Sequence, residues 1–229
     1  MEADPIGLAV ISRPTITGAP VTYAVKEIFL TLQGEGYWTG RRAVFVRFAG
    51  CNLWSGREED RANAICDFCD TDFLGTDGSG GGKFANADEL ASAAALVWGE
   101  LPGERFIVLT GGEPMLQVDA ALIAALHAQG FYIALETNGT RAVPDSIDWI
   151  AVSPKAGCEL VQTSGHEMKL IYPTAYRPEQ CEAMAFEHFF LQPLDGPKRD
   201  EHSAEATRYC LAHPQWRLSM QMHKQLGLR

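Results

Sequence analysis

From Ala24 the chain reads AVKEIFLTLQ and from Ala43 it reads AVFVRF, two runs rich in aliphatic and aromatic residues that predict strands. The second is apolar at nearly every position, which suggests burial on both faces. Further on the spacing becomes helical. Leu90, Ala94 and Val97 share one face, Asn86 stands where an N-cap belongs, and Glu89 lies in capping-box position three residues on. Strand and helix patterns then alternate: RFIVLT at 105–110, an Ala-rich helical stretch from about 118 to 129 stopped by Gly130, then FYIALET at 131–137. WIAVSP at 149–154, EMKLIYP at 167–173 and HFFLQP at 188–193 add three strands, a helix is expected around 201–212, and WRLSMQ at 216–221 is a last strand candidate. This alternation predicts a parallel sheet. With fewer than eight βα units, the expected α/β fold is a partial, open (β/α) TIM-like barrel of about six parallel strands. Residues 75–82, GTDGSGGG, read as a mobile, solvated connector.

A chain of 229 residues with 46% hydrophobic content is long enough for one buried core and short for two. Residues 1–22 carry Pro5, Pro14, Gly18 and Pro20 without a sustained period and read as a flexible leader, leaving 23–229 as a single domain. The net charge of −10 argues against a nucleic-acid surface and favours a small-molecule partner. No apolar run approaches the roughly twenty residues needed to cross a bilayer, and no secretory pattern opens the chain. The expectation is a cytoplasmic protein without a membrane partner.

Polar residues collect just beyond the expected strand ends: residues 33–36, Cys51, residues 110–113, Thr137 and Asn138, Ser153 with Lys155, Gln192 and His223. In a parallel barrel those ends form one rim, where an active site is built. One loop, residues 49–82, carries three cysteines: Cys51, then fourteen residues to Cys66, then two to Cys69. It is rich in Asp, Asn, Gly and Arg and has little apolar content to hold its own shape, so three thiolates on a metal centre would supply order. Zinc would want a fourth ligand, and the nearest histidines, His127 and His166, are far along the chain. Cys158, Cys181 and Cys210 stand alone and read as small hydrophobes. Arg47 lies inside an apolar strand, where an unpaired charge would be costly; it suits either a ligand carboxylate or a structural salt bridge.

The three-cysteine loop followed by Thr110, Gly111, Gly112, Glu113 and Pro114 resembles the radical S-adenosylmethionine (SAM) enzymes, whose usual loop is C-x3-C-x2-C. The long first gap, with Leu32, Gln33, Gly34, Glu35 and Gly36 before it and Gln221, Met222, His223 and Lys224 near the end, resembles the 7-carboxy-7-deazaguanine synthase family from about Tyr23 onward. The resemblance implies a 4Fe-4S cluster on Cys51, Cys66 and Cys69, its fourth iron chelated by SAM. It implies SAM contacts from Phe68, Cys69, Asp70, Gly112, Glu113, Thr137, Ser153, Pro154, Lys155, Gln192, Pro193 and Asp195, with Glu113 as acceptor for the methionyl ammonium. Thr71 matches the family's Mg2+ position. Leu32, Gln33, Gly34, Glu35, Arg47, Thr110 and His223 match contacts to the pterin substrate, 6-carboxy-5,6,7,8-tetrahydropterin.

The implied reaction is a radical ring contraction with loss of ammonia, giving 7-carboxy-7-deazaguanine for queuosine and other 7-deazapurines of tRNA modification. An electron donor such as flavodoxin and a homodimer follow from the same resemblance. Residue by residue, plainer readings stand beside these: strand-end capping for Thr137, Ser153 and Gln192, aromatic packing for Phe68, a solvated turn for Asp70, Thr71 and Asp72, and a structural role for His223. A glycyl-radical activase or a non-catalytic metal-binding protein would share the cysteine loop.

Overall fold

The computed structural model describes residues 22–100, 102–173 and 175–228, so the expected leader lies, but for residue 22, outside the described residues. In chain order the elements are β1 (Tyr23–Leu32), β2 (Arg42–Phe48), β3 (Gly82–Phe84), α1 (Ala87–Trp98), β4 (Arg105–Gly111), α2 (Ala120–Ala128), β5 (Phe131–Thr137), β6 (Trp149–Val152), β7 (Ser164–Tyr172), α3 (Pro178–Cys181), β8 (Ala185–Pro193), α4 (Arg199–Ala212), β9 (Trp216–Leu218) and α5 (Met222–Leu226). Short 3-10 turns occupy Glu58–Asn63 and Pro114–Leu116.

All nine strands form one mixed sheet in the order β3-β1-β2-β4-β5-β6-β7-β8-β9, and its two edges, β3 and β9, do not pair. The architecture is an open, partly closed barrel. From β2 to β9 every pairing is parallel, so the parallel run holds seven strands rather than about six; the short β9 makes the difference. β1 breaks the pattern. It runs antiparallel to β2, with Leu32 opposite Arg42 and Ile28 opposite Val46. Its C-terminal end therefore lies at the opposite end of the barrel from the C-terminal ends of β2 and β4–β9.

Period-two alternation sets the faces of β2: Val44, Val46 and Phe48 are buried, while Phe45 and Arg47 look into the barrel cavity. Helices α1 and α2 pack against each other outside the sheet, over β1, β2 and β5, and α4 covers β8 and β9. Helix α1 starts as its sequence predicts. The Asn86 side chain accepts the Glu89 N–H at 2.9 Å, and the Glu89 carboxylate reaches back to the Ala85 N–H at 2.9 Å. Leu90, Ala91, Ala94 and Trp98 form its buried stripe, and burying Leu90 alone removes enough apolar surface from water to contribute about 2 kcal/mol. Val97 is only half-buried, because Trp98 fills the place beside it.

The glycine-rich segment is not a free connector. Gly78 donates its N–H to Lys26 O at 2.9 Å, and Ile28 donates to Ser79 O at 2.8 Å, so it docks on β1 before β3 pairs with the same strand. Lys26 clamps it further, its ammonium lying 2.7 Å from Asp77, 2.9 Å from Asp72 and 2.9 Å from Leu74 O. All six cysteines are unpaired, and Cys181 is buried as a small hydrophobe would be. Among the described residues no helix is long and apolar enough to cross a membrane.

Candidate active site

One cavity of about 580 Å³ runs through the barrel from the cysteine loop to the β1–β2 hairpin. Of the residues that the resemblance assigns to cluster, Mg2+, SAM or substrate, all but Glu113 and Pro154 line it. That includes Cys51, Cys66 and Cys69 at one end, with Phe68, Asp70 and Thr71 beside them, and Leu32, Gln33, Gly34 and Glu35 at the other. Between them lie Arg47, Thr110, Gly112, Thr137, Ser153, Lys155, Gln192, Pro193, Asp195 and His223.

The hairpin residues do not arrive from the common rim, as the parallel-barrel expectation had them. Because β1 is antiparallel, residues 33–41 enter from the N-terminal end of the parallel strands and form a floor. Tyr37 and Trp38 plug that end: the Tyr37 ring stacks on His188 with centroids 4.5 Å apart, and Trp38 sits 5.1 Å from Trp149 and 5.5 Å from Phe106. Gln33, Gly34 and Glu35 then face up into the cavity. Three contacts pin the loop's backbone: Gly36 N–H to the Ser219 hydroxyl at 2.9 Å, Tyr37 N–H to Glu167 at 3.1 Å, and Met222 N–H to Gly34 O at 2.9 Å. Gly34 also passes so close to His223 that a Cβ there would lie 2.3 Å from the ring Nδ1.

At the floor a single buried ammonium serves several carboxylates. Lys169, on β7 and 5% exposed, lies 2.6 Å from Glu35 and 3.3 Å from Glu136. Gln33 donates to Glu136 at 2.8 Å and Gln221 donates to Glu35 at 2.9 Å. Burial pushes the Glu35 carboxyl up, but Lys169 and Gln221 outweigh it and hold Glu35 well below the ordinary carboxylate range. Burial likewise works against the Lys169 charge, and Glu136 and Glu35 more than compensate, so it stays protonated. Glu167, 3% exposed, is different: burial dominates over the pull of Lys169 and lifts its pKa to about 6. Three acids face one base, so the floor carries excess negative charge.

Arg47 makes the salt bridge its sequence allowed and also borders the cavity. Its Nε bonds Glu27 at 2.9 Å, side chains 20% and 17% exposed, while the residue lines the cavity wall.

At the other end Cys66 hydrogen-bonds Cys69, which raises the Cys66 thiol and draws Cys69 down toward the thiolate, the metal-binding form. Burial raises Cys51. Burial also lowers Lys155, whose ammonium donates to Ser153 O at 2.6 Å and Oγ at 2.7 Å and faces the Cys66–Cys69 pair. Of the three neighbours beyond Cys69, Asp70 is paired with Lys224 and Asp72 with Lys26, which leaves Thr71 as the oxygen donor whose side chain is not committed to an ion pair. Lys224 also holds Asp195 at 2.6 Å, drawing α5 across the mouth. Among the described residues no three His, Cys, Asp or Glu side chains are drawn together tightly enough to hold a single metal ion.

Glu113 stands behind the cavity lining rather than in it. It is fully buried, and its carboxylate accepts from the Thr137 hydroxyl at 2.8 Å, the Asn138 N–H at 2.8 Å and the Met115 N–H at 2.9 Å. Burial raises its pKa against the pull of those donors. These bonds fasten the turn after β4 to the end of β5, and Gly112 beside Glu113 lines the cavity. Lys169 and Ser219 went unmarked in the sequence, and Gln221 was named only as part of the closing motif, without a contact of its own. Lys169 had the same signal as Arg47, a charge inside an apolar strand; Gln221 had the closing motif, and Ser219 had none.

Three thiols without a fourth protein ligand open onto strand ends polar enough to take a nucleoside, in a barrel left open on one side. An open barrel with three thiols at one end of its cavity is what the radical SAM class would require. No family model matches the chain. It is 62% identical to the 7-carboxy-7-deazaguanine synthase of Bordetella pertussis over 209 residues, 91% of this chain and 100% of that one, and 64% identical to the synthase of Bradyrhizobium diazoefficiens over 210 residues, with the same coverage. The crystal structure of QueE from Escherichia coli matches with a TM-score of 0.64 at 26% identity, covering 88% of this chain and 95% of that one. The chain belongs to the 7-carboxy-7-deazaguanine synthase family.

Proposed function

We propose that the chain converts 6-carboxy-5,6,7,8-tetrahydropterin to 7-carboxy-7-deazaguanine with loss of ammonia, in 7-deazapurine (queuosine) biosynthesis. The observation that carries this reading is a single cavity joining three thiols at one end to an acid-rich floor at the other. A pterin has a donor-rich amino edge and a carboxylate, and the cavity is polarised to match. Gln33, Glu35 and Glu136 would take the donor edge, and Arg47 the carboxylate or the ring face. The plug of Tyr37 and Trp38 closes the lower end to water.

Cys51, Cys66 and Cys69 would hold a 4Fe-4S cluster, and their chemistry fits it: thiol donors, one already drawn toward thiolate, beside a buried lysine. With SAM bound and one electron from a reductant, such a cluster would support reductive cleavage of SAM to methionine and a 5′-deoxyadenosyl radical, the part of the chemistry no side chain provides. Lys155 and Ser153, with Thr137, Gln192, Asp195 and the Gly112 backbone, would orient SAM; Thr71 would hold Mg2+ near the substrate carboxylate. A one-electron donor such as flavodoxin and a homodimer belong to the same proposal, supported by family membership alone, as does the assignment of the sheet to a partial TIM-like barrel.

The test is anaerobic incubation with SAM, a reductant, Mg2+ and the carboxytetrahydropterin, followed by product mass. The ring-contracted product is expected. Reductive SAM cleavage without it would point to another radical SAM reaction, and stoichiometric zinc with no brown chromophore would end the enzyme reading.

A further inference from the structure

The fourteen residues between Cys51 and Cys66 do more than span a distance. Their 3-10 turn, Glu58–Asn63, carries Arg61, and this guanidinium touches the cysteine turn directly. Its Nη1 donates to the carbonyl oxygens of Asp67 at 2.7 Å and Cys69 at 3.0 Å. Its Nε lies 2.8 Å from both oxygens of Glu58. The guanidinium carbon sits 4.2 Å over the Trp54 ring, and Trp54 is itself buried edge-on against Phe73 with centroids 5.5 Å apart, its indole N–H donating to Arg57 O at 3.1 Å. Arg61 is thus only 29% exposed, although it lies in a loop of polar composition.

A planar fork serves two carbonyls and a carboxylate at once while stacking on an indole, which a single ammonium on a flexible stem does not. The two carbonyls it holds bracket Phe68 and belong to, or lie one residue from, the second and third cysteines.

We propose that Arg61 is a positioning residue for the turn at residues 66–69, presenting Cys66 and Cys69 to the cluster and so setting how tightly the cluster is held. The inference rests on the proposed function, since it takes the three cysteines to carry a cluster. Without the guanidinium, the Asp67 and Cys69 carbonyls lose these donors and the turn samples more conformations. Each of those conformations weakens the preorganisation of the ligand set.

The experiment reconstitutes wild type, Arg61→Ala, Arg61→Lys and Glu58→Gln anaerobically with iron and sulfide, then follows loss of the cluster absorbance to an added iron chelator, with apoprotein melting measured alongside. Arg61→Ala is expected to lose iron on the order of tenfold faster than wild type, the scale of one charge-assisted hydrogen bond. Arg61→Lys should fall between them, and Glu58→Gln, which keeps the guanidinium but loosens it, should lose iron about two- to threefold faster. Apoprotein melting should be the same in all four, because the clamp lies outside the barrel core. Equal iron loss in wild type and Arg61→Ala overturns the proposal. So does a lowered apoprotein melt in Arg61→Ala together with wild-type iron loss in Glu58→Gln, which would make Arg61 a fold residue only. A wild-type chain that takes up no iron is a separate result: it removes the proposed function, and this inference with it.

Discussion

Glu167 is a buried acid that bonds the plug loop at Tyr37 and has a pKa raised from its ordinary 4.5 to about 6. The native state therefore holds the Glu167 proton more tightly than the unfolded chain does. Its contribution to stability is complete below about pH 4.5 and lost as the pH rises through about 6. A tenfold change in proton affinity is worth about 1.4 kcal/mol, so ionised Glu167 costs the fold roughly 2 kcal/mol at pH 8. Glu167→Gln keeps an acceptor for the Tyr37 N–H and never ionises. The variant is expected to be more stable than wild type at pH 8 by up to roughly 2 kcal/mol, or several degrees in melting temperature for a chain of this length. That advantage should shrink steadily as the pH is brought down to about 4.5. Urea unfolding of both apoproteins by circular dichroism, in steps from pH 8 to 4.5, reads the difference directly. A variant no more stable at pH 8, or an advantage that does not narrow on acidification, would refute the assignment of Glu167 as an ionised, desolvated strut.

Other consequences of the geometry are as accessible. Cys66→Ala should abolish cluster assembly, whereas Arg47→Ala should keep full iron content and raise the KM for the pterin on the order of tenfold, for a lost charge-assisted contact; equal iron loss in both would contradict that division of labour. Gly36→Ala puts a Cβ 2.1 Å from the Glu167 carboxylate at a φ of +66°, so the plug loop must shift at a cost on the order of 1–3 kcal/mol. Its KM should rise as well, because Gln33 and Glu35 ride on the same loop, and wild-type melting with wild-type KM would show that the loop does not set the floor.

The strands that build the barrel wall were legible because β2, β4 and β5 are apolar almost throughout, and the cap of α1 because Asn86 and Glu89 have few other uses at that spacing. Direction was not. The pattern that marks β1 as a strand is the same whichever way it runs, and only the pairing of Leu32 with Arg42 reveals that residues 33–36 come up from below. Most of the residues assigned through the resemblance do line one cavity, but their partners were not legible. An acid after a Gly-Gly pair reads as a ligand contact, yet Glu113 is consumed by Thr137, Asn138 and Met115, two of them from a strand end more than twenty residues on. The glycine-rich stretch is similar, since composition reports freedom in the unfolded chain and is silent on a neighbouring β1 that docks it.

The hairpin at residues 33–41 and the cysteine loop enter the same chamber from opposite doors, and no strand has to be redrawn for either to be changed. Substitutions around Gln33 and Glu35 could alter which heterocycle lodges at the bottom while the radical-generating half passes on intact. On the proposed reading, recognition and ignition sit on separate loops, with α5 tied to both.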